Sequence, residues 1–333
     1  LLVNIVPAAH AQTVGTITTT AGGASDGDLA VHTNLSVPRG VFVDNSGNIY
    51  VADTNRHRVR RIASDGSMAT VAGSGTAGFS GDGGPAVDAA INAPSAVYVD
   101  TGGVVFFSDT NNHRVRKVTT DGLITTVAGD GFADGFGLGR FSGDSGLATT
   151  ASLGRPWGIF VDATGNVYIA DRENQRIRRV GTDGIINTVA GNGQISSAGD
   201  GGQAINASFA SPSSVVLDGA GVMYVAETAG NRIRRVGTDG VVTTYAGTGT
   251  ADATGDGGPA TLATIAAPVS LYLSASGDLF FADDGNDRIR KIDPAGNMLP
   301  FAGTGDAGFG GDGSAGTLAL FNASFANPLV NII

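Results

Sequence analysis

An acidic residue followed by a cluster of arginines recurs five times in this chain, with 56, 62, 56 and 56 residues between successive acids. Each copy has the acid first, Arg sixth, a β-branched residue seventh, Arg eighth, Arg or Lys ninth and Val or Ile tenth. The copies are Asp53–Ile62, Asp109–Val118, Asp171–Val180, Glu227–Val236 and Asp283–Ile292. Carboxylates and guanidiniums at fixed spacing can form bidentate ion pairs or bind a polyanion. Because every copy carries the same charges, we interpret the motif as structural.

The first and sixth positions of the motif are predicted to pair with each other. The acid ends one strand and the sixth-position Arg begins the next, so an ion pair between them would fix the connection. The predicted pairs are Asp53 with Arg58, Asp109 with Arg114, Asp171 with Arg176, Glu227 with Arg232, and Asp283 with Arg288.

Four arginines remain once the repeated basic cluster is set aside: Arg39, Arg140, Arg155 and Arg172, the last at the second position of the third copy. Trp157, the only tryptophan, directly follows an expanded loop that contains two of them. Arg and Trp are enriched at binding hot spots, so these five residues are the candidate site for a protein partner or a small anionic or aromatic ligand. The alternative is that Trp157 packs beneath the loop, with the loop phenylalanines as a small core. Those phenylalanines are Phe132, Phe136 and Phe141.

Two further sets of residues could hold a metal. One Asp recurs in each long loop, at Asp82, Asp144, Asp200, Asp256 and Asp312. A ring of carboxylates would suit calcium, but each Asp has its own loop, so we favour a cap on the short helical turn that follows. His57 and His113 share one motif position in adjacent copies and could share a transition metal. We interpret them as variable loop positions, because the other copies have Gln175, Asn231 and Asp287 there.

Composition excludes some classes of function. The formal net charge is −10, which is unfavourable for binding nucleic acid or an anionic membrane. The chain has no Cys, so thiolate catalysis and Cys–zinc sites are excluded. Residues 1–11 are apolar and end in Ala9-His10-Ala11, which indicates the remnant of a secretory signal peptide; the alternative is a strand at Leu1–Val6. Residues 12–333 are then predicted to form one domain.

Short strands and glycine turns surround each motif. An apolar strand such as Val41–Asp44 follows a proline, and a turn leads to a second strand such as Ile49–Asp53. The third strand is the arginine run, and the fourth ends in Ala-Gly. Glycines in the turns can take the positive φ that hairpins need. Four antiparallel strands repeated radially make a β-propeller blade.

The unit length, the motif and the run Gly-Asn-Ile-Tyr-Val-Ala-Asp (47–53) resemble the NHL-repeat family. The signature Gly73–Pro94 resembles NHL repeats of secreted bacterial proteins and of the teneurin shell, which implies a secreted or periplasmic protein. The terminal segments Thr16–Gly22 and Leu329–Ile333 match a fourth and a first strand. We therefore predict an all-β, six-bladed propeller whose sixth blade is shared by the two termini. The sequence does not show the two middle strands of this blade. Either Leu1–Val6 supplies a missing strand or the chain stops within the blade, and we favour a chain that stops there.

Propeller geometry places the long fourth-to-first connections and the second-to-third connections on one face, the long-loop face. Long loops on a rigid scaffold commonly carry binding. The first hypothesis is a non-catalytic binding scaffold that uses this face around the third blade, without a cofactor. The alternative is a metal-assisted lyase or hydrolase with its centre at the channel mouth. Nucleic-acid binding is a third and weaker hypothesis.

Overall fold

Each copy of the repeated motif supplies the middle two strands of a four-stranded antiparallel sheet. The structure, a computed structural model, describes residues 3–5, 17–19, 29–30, 35–308, 310–311 and 314–320. The strands before the first blade are β1 (Val3–Ile5) and β2 (Ile17–Thr19). Those of the first two blades are β3 (Pro38–Val43), β4 (Ile49–Asp53), β5 (Arg58–Ile62), β6 (Met68–Ala72), β7 (Val97–Val99), β8 (Val105–Asp109), β9 (Arg114–Val118) and β10 (Ile124–Ala128).

The third, fourth and fifth blades repeat this order. The third adds a short outer strand, β11 (Gly146–Leu147), to β12 (Pro156–Val161), β13 (Val167–Asp171), β14 (Arg176–Val180) and β15 (Ile185–Ala190). The remaining strands are β16 (Pro212–Leu217), β17 (Met223–Glu227), β18 (Arg232–Val236), β19 (Val242–Ala246), β20 (Pro268–Leu273), β21 (Leu279–Asp283), β22 (Arg288–Ile292) and β23 (Met298–Ala302). The predicted second and third strands are confirmed in every blade.

The turn between the first and second strands shows why the hairpins form. The Asp44 side chain accepts the backbone N–H groups of Ser46 and Asn48, both at 2.9 Å. Gly47 has φ 78°, which a side chain would strain. The same Asp caps recur in the next three blades. The turns therefore set the strand register locally.

The number of blades differs from the prediction. The described residues form five blades, not six: four are four-stranded sheets, and the third gains β11 as a fifth strand. Strands β1 and β2 pair only with each other, in a two-stranded sheet. The predicted closing strand Leu329–Ile333 lies outside the described residues. The five sheets are the five units that contain a motif, because the motif supplies the two middle strands.

The hydrophobic core lies between consecutive blades. Val59 of the first blade packs with Phe107 of the second, and Ile233 of the fourth packs with Phe281 of the fifth. The innermost strands contact one another from blade to blade. They surround a central channel with a cavity of about 330 Å³. Its lining includes an aromatic group formed by Phe42, Tyr98, Phe160 and Tyr272.

Short 3-10 turns complete the connections on the long-loop face. One set joins the second and third strands, at Thr54–Arg56, Thr110–Asn112, Arg172–Asn174 and Asp284–Asn286. A second set lies in the long loops, at Ala86–Asp88, Ala148–Thr150, Ala204–Asn206, Ala260–Leu262 and Gly316–Leu318. No helix among the described residues is long and apolar enough to span a membrane.

Candidate functional site

The acid of each motif forms its ion pair with the eighth-position Arg, not the predicted sixth. The pairs are Asp53–Arg60 at 3.5 Å, Asp109–Arg116 at 3.5 Å, Asp171–Arg178 at 3.3 Å, Glu227–Arg234 at 3.2 Å and Asp283–Arg290 at 3.2 Å. Each acid also accepts a backbone N–H from the loop before its own blade, as Asp109 does from Asn92 at 2.6 Å. The acid and the eighth Arg are buried in all five blades, so this pair belongs to the scaffold.

The sixth-position arginines bind backbone carbonyls instead. Arg58, Arg114, Arg176, Arg232 and Arg288 donate to the carbonyls of Ser74, Asp130, Asn192, Thr248 and Thr304 at 2.7–3.0 Å. Two of them also lie over an aromatic ring: Arg114 over Phe79 at 3.6 Å and Arg176 over Phe141 at 3.7 Å. These side chains join the third strand to the loop after the fourth.

The loop aspartates complete the coordination of the eighth-position arginines. The ion pairs are Asp82–Arg116 at 2.7 Å, Asp144–Arg178 at 2.8 Å, Asp200–Arg234 at 2.5 Å and Asp256–Arg290 at 2.6 Å. The predicted helix cap is wrong for these four residues, because none of the 3-10 turns that follow has a side-chain cap. The loop carries the carboxylate to the guanidinium, where it is neutralised. Asp312 lies outside the described residues.

His57 and His113 hold adjacent blades together. Each Nδ1 accepts a backbone N–H from the next blade at 3.1 Å: His57 from Ala93, and His113 from Arg155. Gln175 and Asn231 make the same contact through their carbonyl oxygens, with Ser211 and Ala267. All four donors have positive φ and precede a proline. The sequence contained a signal for this, since every residue at the position can accept a hydrogen bond. Across the described ranges, no group of three or more His, Cys, Asp or Glu is arranged to hold a metal.

Three of the five predicted binding residues meet at the mouth of the channel. The Arg39 guanidinium lies 4.7 Å from the centre of the Trp157 ring, and that of Arg172 lies 4.2 Å from it. Trp157 is 8% exposed, so the indole is buried rather than open to solvent. Burial lowers the pKa of both arginines, and the charge of Arg172 lowers that of Arg39 further. Both guanidiniums therefore make cation–π contacts with the same indole ring.

Arg155 and Arg140 have other partners. Arg155, with φ 43°, pairs with Glu173 at 3.3 Å. Arg140 donates through its Nε to the Ser152 hydroxyl at 3.2 Å, and its guanidinium lies over Phe132 at 3.9 Å. The predicted cluster is therefore divided. Arg39 and Arg172 contact Trp157 at the mouth, whereas Arg155 forms an ion pair and Arg140 contacts other residues of its own loop.

The three loop phenylalanines do not form a common core. Phe132 lies beneath Arg140 and Phe141 lies beneath Arg176. Phe136 is 89% exposed at the tip of the expanded loop. The alternative of a small phenylalanine core is therefore wrong, and Phe136 is the most exposed of the three rings.

Sequence reasoning missed Asp284, whose Oδ1 is buried without a hydrogen-bond partner among the described residues. Burial raises the pKa of its carboxyl to about 6, Asp287 and Asp283 raise it as well, and Arg39 opposes them. Asp284 occupies the second motif position, where three blades have Thr54, Thr110 and Thr228. Only Arg172 and Asp284 depart from Thr there, a difference that comparison of the five copies could have revealed.

Comparison with known sequences gives two family matches. Residues 139–198 match the teneurin NHL domain and residues 35–62 match the NHL repeat. The chain is 31% identical over 285 residues to teneurin-1 of Mus musculus, an alignment that covers 74% of this chain and 10% of teneurin-1. The chain thus spans about a tenth of the length of the curated relatives it matches.

Solved structures share the fold at low sequence identity. A protein of unknown function from Bacteroides thetaiotaomicron has a TM-score of 0.66 and 16% identity, covering 92% of this chain and 68% of that one. A streptogramin B lyase has a TM-score of 0.51 and 16% identity, covering 79% of this chain and 67% of the lyase. At such identity, these likenesses concern the fold alone.

Proposed function

Because this chain belongs to the NHL-repeat β-propellers, we propose that it is a non-catalytic scaffold that binds a protein partner through its long-loop face around the third blade. In this proposal residues 12–333 act as one secreted or periplasmic domain. The observation that carries it is Phe136, which is 89% exposed at the tip of the expanded loop. A large apolar side chain exposed on an ordered loop is suited to fill a pocket of a partner.

The loop tip presents Phe136 in a fixed conformation. The Asp134 carboxylate accepts the N–H groups of Phe136 and Leu138 at 2.8 and 2.9 Å. Gly137, with φ 75°, closes the turn through an N–H bond to the Asp134 carbonyl. Because the turn is formed before binding, a partner need not supply the ordering entropy. Burial of the ring would contribute about 1.5–3 kcal/mol.

The charges of the motif favour a protein partner over nucleic acid. The eighth-position arginines lie inside the blades, each held by its acid. Arginines that are buried and neutralised cannot contact phosphates, and a phosphate-binding surface needs several that can. The remaining net charge of −10 repels a polyanion.

The proposal is tested by site-specific photocrosslinking. The full chain, carrying benzoylphenylalanine at position 136, is incubated with extracellular proteins of its source and irradiated. We expect one reproducible adduct, which unlabelled wild-type protein competes away and the Phe136→Ser variant does not. The matched control has the probe at Leu262, an exposed apolar residue in a 3-10 turn after the fourth blade.

Two outcomes would contradict the proposal. One is an identical set of adducts from positions 136 and 262, since the loop tip would then have no selective partner. The other is stoichiometric zinc, iron or copper in the purified protein, which would favour the metal-assisted lyase or hydrolase.

A further inference from the structure

We propose that the mouth of the channel binds a monoanionic carboxylate, held by the guanidiniums of Arg39 and Arg172 and the indole N–H of Trp157. This site is separate from the Phe136 tip and does not depend on the proposed protein partner. Its ligand class follows from three observations: unused donors, local charge and the departure from the repeat.

The donors at the mouth have no acceptor. Within the described part of the chain, neither the Arg39 nor the Arg172 guanidinium has a hydrogen bond or ion pair. Arg39 Nε and Trp157 Nε1 are both buried without a partner. Buried donors are normally satisfied, because a buried donor without an acceptor has lost its hydrogen bonds to water and gained none in return. An oxyanion at the Nε1 edge of the indole, in the plane of the ring, would accept from Trp157 and from the two guanidiniums.

The local charge selects a monoanion. Arg39, Arg155 and Arg172 contribute three positive charges, and Asp284 and Glu173 contribute two negative ones. The difference, 3 − 2, leaves one positive charge. A carboxylate matches that charge, and its two oxygens suit a planar guanidinium. A phosphate group, close to doubly charged at neutral pH, would meet more repulsion from the two acids.

The other blades show that unsatisfied donors are not a general property of this rim. Where the motif has Thr, its hydroxyl donates to the proline carbonyl of the next blade, as Thr54 does to Pro94 at 2.7 Å and Thr110 to Pro156 at 2.9 Å. At the position of Trp157, the second blade has Ser95, which bonds Thr110 at 2.5 Å. The rim hydroxyls of these blades are therefore satisfied, whereas Arg39 Nε and Trp157 Nε1 have no acceptor among the described residues.

The test uses the only tryptophan as its reporter. In a ¹H–¹⁵N spectrum of the full chain, Trp157 gives one indole cross-peak. The probes are benzoate, its neutral counterpart benzamide, and phenyl phosphate. We expect benzoate to move the indole proton downfield in a saturable manner, benzamide to leave it in place, and phenyl phosphate to bind at least tenfold more weakly.

The variants use residues that other blades have at the same positions, so we expect them to fold. Arg172→Thr and Arg39→Ser introduce the residues of equivalent blades, and each is expected to weaken benzoate binding at least tenfold. Arg61→Gln removes one charge at an exposed position of β5 and is expected to leave binding unchanged. The carboxylate site is refuted by an unmoved indole peak with benzoate, by equal affinity for phenyl phosphate or benzamide, or by full binding in both mouth variants. None of these results bears on crosslinking through position 136.

Discussion

Replacing Arg116 with Met tests whether the eighth-position Arg stabilises each blade more than the sixth does. Arg116 is fully buried between Asp109 and Asp82, and it donates to the carbonyls of Ala90 at 3.1 Å and Ser80 at 2.8 Å. Met preserves the apolar stem but leaves the buried Asp109 without its counter-ion. Breaking a buried ion pair in this way costs about 3–5 kcal/mol, so we expect a loss of about 4 kcal/mol.

The matched substitution is Arg114→Met, at the sixth position of the same strand. Arg114 is half-buried, donates to the carbonyl of Asp130 at 2.7 Å and lies over Phe79. Arg114 also donates to the carbonyl of Asn112 at 3.1 Å. Losing these two part-buried hydrogen bonds and one cation–π contact costs about 2 kcal/mol. Lys117→Met, at the ninth position, should change stability by less than about 0.5 kcal/mol.

The assay is urea denaturation at pH 5 and pH 8, followed by circular dichroism and Trp157 fluorescence. Burial raises the pKa of Asp109 to about 6 even beside Arg116, and removing the arginine raises it further. At pH 5 the acid can take up a proton, whereas at pH 8 it stays charged and unpaired, so the penalty of Arg116→Met is larger at pH 8. An equal or larger loss in Arg114→Met would refute the assignment.

Two further predictions concern the mouth and the blade junctions. Burial raises the folded-state pKa of Asp284 to about 6, so its contribution to stability is present below about pH 4 and is lost as the pH rises through 6. Thermal melts at pH 8 should therefore show that Asp284→Asn is more stable than wild type by about 1–2 kcal/mol, a value reduced for partial exposure of the carboxyl. At pH 4 the two proteins should have nearly equal stability. Equal stability at pH 8 would contradict the prediction. Burial lowers the pKa of His113, so its bond to the Arg155 N–H is intact above about pH 6.5 and is lost on acidification. His113→Leu should lower the stability by about 1 kcal/mol at pH 8, whereas His113→Gln should keep the wild-type stability. At pH 4.5 the Gln variant should melt at a higher temperature than wild type. Equal melting temperatures of the Leu and Gln variants would argue against a stabilising hydrogen bond between the blades.

The strands could be predicted from the sequence because the information is local. The acid-to-arginine motif marks the hairpin of β4 and β5, and turns such as the one at Gly47 fix its neighbours. The partner of each acid could not be read in the same way. Asp53 lies directly opposite Arg58 in the register, but Arg60 points to the same face and is long enough to reach back to the carboxylate. The position of Asp82 beside Arg116 depends on how a long loop folds.

The candidate site was predictable in composition but not in arrangement. Setting aside the repeated basic cluster left Arg39 and Arg172 among four arginines, and the solitary Trp157 marked the same place. Which of the arginines would lack a partner depended on tertiary contacts, since Glu173 neutralises Arg155 and leaves Arg172 over the indole. The exposure of Phe136 likewise follows from the Asp134 turn, which loop length alone does not reveal.

The buried arginines also shape the electric field around the molecule. Seventeen of the twenty basic residues lie in the five motif copies, and the eighth-position charges are enclosed within the blades. The surface that a distant ion meets is therefore predominantly negative, and the pair over Trp157 is a small positive island in it. An anion approaching that island is repelled at long range and attracted only on contact. Added salt screens the long-range repulsion more than the half-buried contact, so moderate ionic strength should speed the arrival of an anion.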